Sequence, residues 1–341
     1  MQDNKPDSDT SVCVIHLSIL NMRFPLSIAS LLLAVCYGCS QEINLGDYRD
    51  EEGKDMLTLN SIVNPDSVIE AVVTDTYFFS DLHHSPTFNP RQTIDIWVNG
   101  QSIERMRYDQ QRNRYTSGVR PAPRDIVELR TNHKGVEVVA KDTIPQAVQL
   151  GEIMVEQAGP ISIYTSKDYL FTYHIELVDD TNEENYYFLQ FENASTAYSS
   201  MIGVRDFTQE FVFQQLAREV NKRMPGWEPY SPYGLPFSDK GINGRKHTLT
   251  VREIVQCDSY LLRLSTAQRR FKLYAISKSY YQYLLNVLQN SDLNTAMSGG
   301  MIDLGISEPA KVYSNISGGV GILGSYNLVV KQISFQVSAR P

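Results

Sequence analysis

Cysteine is scarce, with 4 in 341 residues. A chain this long is not held together by a disulfide scaffold of that size. Tryptophan is scarcer still, at 2. Positive charge is in deficit: 31 Lys and Arg stand against 39 Asp and Glu, for a net charge of −8. That balance leaves no electrostatic footprint for nucleic acid. Beyond the first forty residues no stretch approaches the ~18 consecutive apolar residues of a membrane helix, which excludes a multi-span membrane protein. What is present is ordinary for a globular body, 42% hydrophobic and 21% charged. The 20 Tyr and 13 Phe lean towards strands, and the length allows two domains with real cores.

The N-terminal region reads as an address. Arg23 precedes an apolar stretch, Phe24 to Val35, followed by Cys36-Tyr37-Gly38-Cys39-Ser40. A positive residue, about a dozen apolar residues and a small residue before a cut form the secretory signal pattern. With Gly38 directly before Cys39, the pattern is that of a bacterial lipoprotein, in which the Cys39 thiol receives the lipid. Residues 1–21 carry acidic groups where a signal start is positive, so Met22 is the expected start and 22–38 the signal peptide. The competing reading, one transmembrane helix over Val12 to Val35, places Arg23 near its middle at a cost of roughly 2.5–3.5 kcal/mol. Cleavage before Cys39 leaves a net charge of −7 and Cys257 as the one free thiol. Residues 39–55 are polar and acidic, and read as a solvated tether.

From Met56 the apolar pattern has period two. Leu57, Leu59 and Ile62 alternate with polar residues, and Val68 to Thr74 reads as a returning strand. Asn99-Gly100, directly after the strand-like run Thr93–Val98, is a strong short hairpin signal. With Ile126–Thr131 and Val136–Lys141, this predicts an immunoglobulin- or transthyretin-like β-sandwich over 56–150. The remainder, 151–341, is expected to be a second β-rich domain, with a short helix in Phe207–Arg223 and a closing strand Tyr326–Val337. Ser265-Thr266-Ala267-Gln268 fits a capping box, which predicts one long helix near 266–289.

Several motifs invite a chemical reading. Gly319 to Gly324 spells G-x-G-x-x-G, but neither a βαβ unit nor a following helix accompanies it, so a turn or bulge feeding the last strand is the better reading. Asp81 with His83-His84 lacks further ligands at metal-site spacing. Asp179, Asp180, Glu183 and Glu184 lack the alternation and Gly of a calcium loop. No nucleophile elbow, no zincin motif and no Cys–His pairing stands out, so neither a cofactor nor a metal is expected, and no catalytic residue is named. Trp227, Tyr230, Tyr233 and Phe237, with interleaved prolines, form a stiff aromatic loop. Such a loop either binds a glycan or partner protein or packs on its own domain as a plug.

The chain resembles the lipoprotein family known as domain of unknown function 4249. The cues are Cys39 with its acidic tether, Thr143-Ile144-Pro145, Phe237-Ser238-Asp239 ahead of Gly244, Tyr280-Tyr281, and Glu308 to Ile316 followed by Gly318-Gly319-Val320-Gly321. The resemblance implies an outer-membrane lipoprotein of Gram-negative bacteria, exposed at the cell surface, partnering a TonB-dependent receptor in nutrient uptake without enzymatic activity. A structural or adhesive surface lipoprotein, and a lipid-anchored glycan- or peptide-processing hydrolase with dispersed carboxylates, are the alternatives. A peptide or glycan ligand fits each.

Overall fold

The computed structural model describes residues 56–76, 87–163, 166–178, 183–194, 200–205, 207, 209–221, 230–231, 234–256, 266–291 and 312–337. In chain order the strands begin with β1 (Leu57–Val63), β2 (Glu70–Asp75), β3 (Asp95–Val98), β4 (Gln101–Arg105), β5 (Arg107–Asp109), β6 (Arg114–Thr116), β7 (Ile126–His133) and β8 (Val136–Thr143). Next come β9 (Gln149–Ile163), β10 (Ser166–Val178), β11 (Tyr186–Asn193), β12 (Ser200–Met201), β13 (Val204–Arg205) and the helix α1 (Gln214–Asn221). The described chain ends with β14 (Tyr230–Ser231), β15 (Leu235–Ser238), β16 (Lys246–Gln256), β17 (Thr266–Ile276), α2 (Lys278–Ser291), β18 (Ile316–Ser317) and β19 (Val320–Gln336). The fold is mainly β, built from sandwich layers, as the alternation predicts.

One large sheet runs β12-β11-β17-β19-β1-β2-β6-β5, with β15 also on β11. Two smaller sheets, β18-β8-β7-β3-β4 and β14-β13-β16-β10-β9, complete the fold. The large sheet is continuous because β19 changes partner along its length. Its first part lies parallel to β1, with Thr58 opposite Val320 and Val63 opposite Ser325. Its second part runs antiparallel to β17, from Tyr326 opposite Ile276 to Gln336 opposite Thr266.

Residues Glu52–Pro341 form one compact unit with two hydrophobic cores. The first gathers Leu57, Leu59, Val73, Ile96, Leu129 and Val138, together with Ile316 and Leu323 from the far end of the chain. The second gathers Phe171, Tyr173, Phe191, Phe237, Phe271 and Leu273, with Leu216 of α1 and Leu285 of α2.

Local chemistry explains most elements. Asn99 and Gly100 both take positive φ (52° and 81°) at the β3–β4 turn, the conformation a tight hairpin needs to match strand twist. Along β1 the inward positions are Leu57, Leu59, Ser61 and Val63. Ile62 therefore faces outward, contrary to the expected alternation. Ser61 holds the inward place by donating its hydroxyl to the Glu70 carbonyl at 2.6 Å.

The predicted long helix is corrected. Thr266–Ile276 is strand β17, and its buried residues Ala267, Arg269, Phe271, Leu273 and Ala275 recur with period two. Side chains on one face of a strand fall at every second position, and that periodicity overrides a capping signal four residues long. The true cap is Ser277, whose Oγ accepts from the Tyr280 N–H at 3.2 Å and whose carbonyl accepts from Tyr281 N–H at 2.9 Å. The helix it opens has 14 residues.

The glycine motif is a packing device. A Cβ on Gly321, at φ +120°, would sit 2.1 Å from the Leu59 carbonyl oxygen, and one on Gly319 would sit 2.7 Å from that of Leu57. These positions admit only glycine because β19 lies against β1 at backbone distance.

Candidate cleft at the junction of the two cores

A cleft of about 660 Å³ opens where the two cores meet. One wall is the five-residue connection from β8 to β9, Ile144–Val148; the other is the entry to β11, Glu183 to Tyr187. The start of α2 closes it through Ser277 and Lys278.

Each wall is fastened. Ile144 exchanges two backbone hydrogen bonds with the preceding turn, its N–H donating to Asp125 O and its carbonyl accepting from Arg124 N–H, both at 2.9 Å. Asp125 is itself held, since Asn99 Nδ2 donates to its Oδ1 at 2.8 Å. Further along, Asn327 Nδ2 donates to the Pro145 carbonyl at 3.4 Å. On the other wall the N–H and Nδ2 of Asn185 donate to Asp239 Oδ2 at 3.0 and 3.1 Å. Asp239 is fully buried, so this wall is anchored in the core.

The cleft carries charge of both signs: Arg124 and Lys278 against Glu183 and Glu184. Tyr186 packs against Tyr281 with the rings tilted by 32° and centroids 4.9 Å apart. Burial, then the neighbouring Glu184 carboxylate, pushes its hydroxyl up to about 12. It is therefore a neutral hydrogen-bond donor throughout the physiological range.

Asp142, the last inward residue of β8, lies at the cleft floor with 8% of its surface exposed. Ser325 Oγ lies 2.7 Å from its Oδ2. Burial raises this carboxyl to about 6, against the opposing pull of its hydrogen bonds with Ser277, Ser325, Thr143 and Ser279. Sequence reasoning missed it. The available signal was period two in β8: Val138, Ala140 and Asp142 share one face, so an acid occupies an inward position.

A second polar group is sealed inside the second core. Arg269 donates from Nε and Nη2 to the two Glu253 carboxylate oxygens at 3.0 and 2.9 Å. The Tyr173 hydroxyl donates to Glu253 Oε2 at 2.6 Å. Tyr173 packs against Phe191, Phe271 and Phe335, with centroids 5.2 to 6.1 Å apart. Arg269 is 1% exposed, so this bidentate pair is a structural element closed to ligands.

The residues singled out from sequence fare differently. Phe237 is fully buried on β15, 5.3 Å from the Tyr187 ring and 5.2 Å from that of Phe213. As a binding residue it is corrected: it belongs to the core, because β15 pairs with β11 and turns this side chain inward. Tyr230 contributes its backbone to β14, opposite Arg205. Its side chain, with Trp227 and Tyr233, lies outside the described residues, as do Cys39, Asp81, His83, His84, Asp179 and Asp180. Of the acidic turn, Glu183 and Glu184 line the cleft. Among the described residues no group of three His, Cys, Asp or Glu side chains is placed to hold a metal ion.

The chain belongs to the family described as domain of unknown function (DUF4249), which matches residues 43–332. A search of curated proteins finds no match. Among solved structures, the chain is similar to a Corynebacterium diphtheriae protein described as membrane anchored. Identity is 8% and the TM-score 0.20, over 66% of this chain and 55% of that one. It is also similar to the collagen binding domain of the Erysipelothrix rhusiopathiae surface protein RspB, at 7% identity and a TM-score of 0.16, over 83% and 97% of the respective chains. Among the described residues no helix is long and apolar enough to cross a membrane.

Proposed function

We propose that this protein is a non-enzymatic, lipid-anchored binding protein of the outer membrane that assists a TonB-dependent receptor in nutrient uptake. The observation that carries the binding role is the cleft of about 660 Å³, with anchored walls and hydrogen-bonding groups of both signs. Fixed walls reduce the entropy lost when a ligand or partner segment is held. The signal pattern ending at Cys39 supports the lipid anchor, and the family resemblance supports the receptor partnership.

The test is a gentle detergent pull-down of the tagged protein from native outer membranes, read by mass spectrometry. Recovery of a TonB-dependent receptor in near-equal amount is the expected result. Recovery of the lipoprotein alone overturns the partnership and favours a free-standing adhesive or structural role. Cys39→Ser is expected to move the protein from the membrane to the soluble fraction, and unchanged membrane attachment would refute the lipid site. Trp227→Ala with Tyr230→Ala is expected to weaken receptor recovery if the aromatic loop makes contact; full retention assigns the loop to packing.

A further inference from the structure

Hydrogen counting at the cleft floor leads beyond a binding role. Ser325 Oγ lies 2.7 Å from Asp142 Oδ2 and 2.7 Å from the Thr143 carbonyl oxygen. A hydroxyl carries one hydrogen, and a carbonyl oxygen only accepts. If the Ser325 hydrogen goes to Thr143 O, the contact to Asp142 needs a second hydrogen, and the carboxyl is the one group there able to supply it. Ser325 itself is fully buried, so bulk solvent does not compete for these contacts.

We propose that Asp142 is held as a neutral carboxylic acid donating to Ser325 Oγ, and that this proton is a latch joining the first core to the second at the floor of the cleft.

The placement suits a latch. Asp142 ends the inward face of β8 and begins the wall of the cleft. Ser325 is the residue at which β19 leaves β1, since Val63 pairs with Ser325 and Ile276 with Tyr326. The Ser325 N–H donates to Ser277 Oγ at 3.3 Å, and its carbonyl accepts from Ser277 N–H at 2.9 Å. Ser277 in turn caps α2. One proton thus links β8, β19 and the helix start. The charged groups facing the same space are Arg124 from the turn before β7, Lys278 from α2, and Glu183 and Glu184 from the entry to β11, with the Tyr186 hydroxyl beside them. Their charges balance, so ionisation of Asp142 would leave the floor with one uncompensated negative charge. Burial alone raises the carboxyl, to about 6, and its hydrogen bonds with Ser277, Ser325, Thr143 and Ser279 pull the other way.

The experiment is a pH titration of the mature chain labelled with carboxyl-13C aspartate, followed by NMR. One aspartate signal with a midpoint near pH 6, absent from Asp142→Asn, is expected. Amide exchange, corrected for its intrinsic pH dependence, gives the mechanical readout at residues 143–149 and 277–281. Protection there should fall tenfold or more between pH 5 and 7 in the wild type and stay level in Asp142→Asn, whose amide mimics the neutral acid as donor and acceptor. If every aspartate signal of the wild type titrates below pH 5, the proposal falls without recourse to any variant. It also falls if both proteins lose protection equally across that range.

Discussion

The two cores solve one packing problem with different materials. The first is aliphatic, with Leu57, Leu59, Val73, Ile96, Val127 and Leu129 buried and Tyr115 as the one buried aromatic ring among its described residues. Even that ring is used at its polar end: the hydroxyl donates to Asn89 O at 2.8 Å and accepts from Gln92 N–H at 2.9 Å. The second core is aromatic, and it encloses the ion pair of Arg269 and Glu253 with Tyr173. Aliphatic side chains on alternating strands fill a core with little polar accounting. Large rings and a buried charge pair need more, because every polar atom among them must find a partner. Tolerance to substitution should therefore be lower in the second core.

The largest expected effect comes from that difference. Arg269→Met leaves the Glu253 carboxylate buried without its cation and should cost about 3–5 kcal/mol in denaturant unfolding. The combined change Arg269→Met, Glu253→Leu and Tyr173→Phe should recover most of that loss, because an apolar cluster of similar volume often replaces a buried ion pair at little cost and no buried hydroxyl is left without its acceptor. Equal losses in the single and combined variants would show that shape, not charge, governs this site. Leu59→Ala in the first core provides the reference, at about 2–5 kcal/mol.

Next comes the strand the two cores share. Gly321→Ala should destabilise by at least ~1–3 kcal/mol from its positive φ, and the contact with the Leu59 carbonyl adds to that. If both cores lose stability together in this variant, β19 couples them. If only the first core loosens in amide exchange, they are separable.

Acid titration contrasts the junction with the outer surface. The Asp142 carboxyl is at about 6 in the folded chain against an ordinary 3.8. Its contribution to stability is therefore complete below the ordinary value and is lost as pH rises through about 6, a change of about 3 kcal/mol. Glu70 behaves oppositely: hydrogen bonds from Arg112 and Arg114 outweigh its burial and lower it. Its contribution is present above the ordinary carboxylate value and fades as pH falls through its lowered one. Asp142→Asn should flatten the stability profile between pH 4 and 7, as read by urea unfolding, and an unchanged profile would refute the assignment. The smallest effect belongs to Glu70→Gln. Its ion pairs are on the surface, so the loss should stay below about 1 kcal/mol and shrink further in salt.

Much of this was legible from particular residues. The Asn99-Gly100 hairpin, the alternation of β7 and β8, and the rejection of a nucleotide site at Gly319 to Gly324 all rest on local chemistry. The helix boundary was not legible, because Ser265 to Gln268 offers a capping pattern and only pairing with β11 and β19 commits Thr266–Ile276 to a strand. Phe237 misled for a related reason: composition shows an aromatic and proline-rich loop, while strand pairing with β11 decides that this ring faces inward.

The sequence by itself determined the mainly β architecture, the tight turns and the family, because each is encoded over a few neighbouring residues or a short motif. Only the tertiary structure decided that β19 joins two cores, that Arg269 and Glu253 meet inside the second of them, and that Asp142 lies beside Ser325. Those side-chain contacts link residues 16 and 183 positions apart, and period and propensity carry no information at such separations. Where an acid is buried, and whether it keeps its proton, is fixed by partners that arrive only when the sheets close.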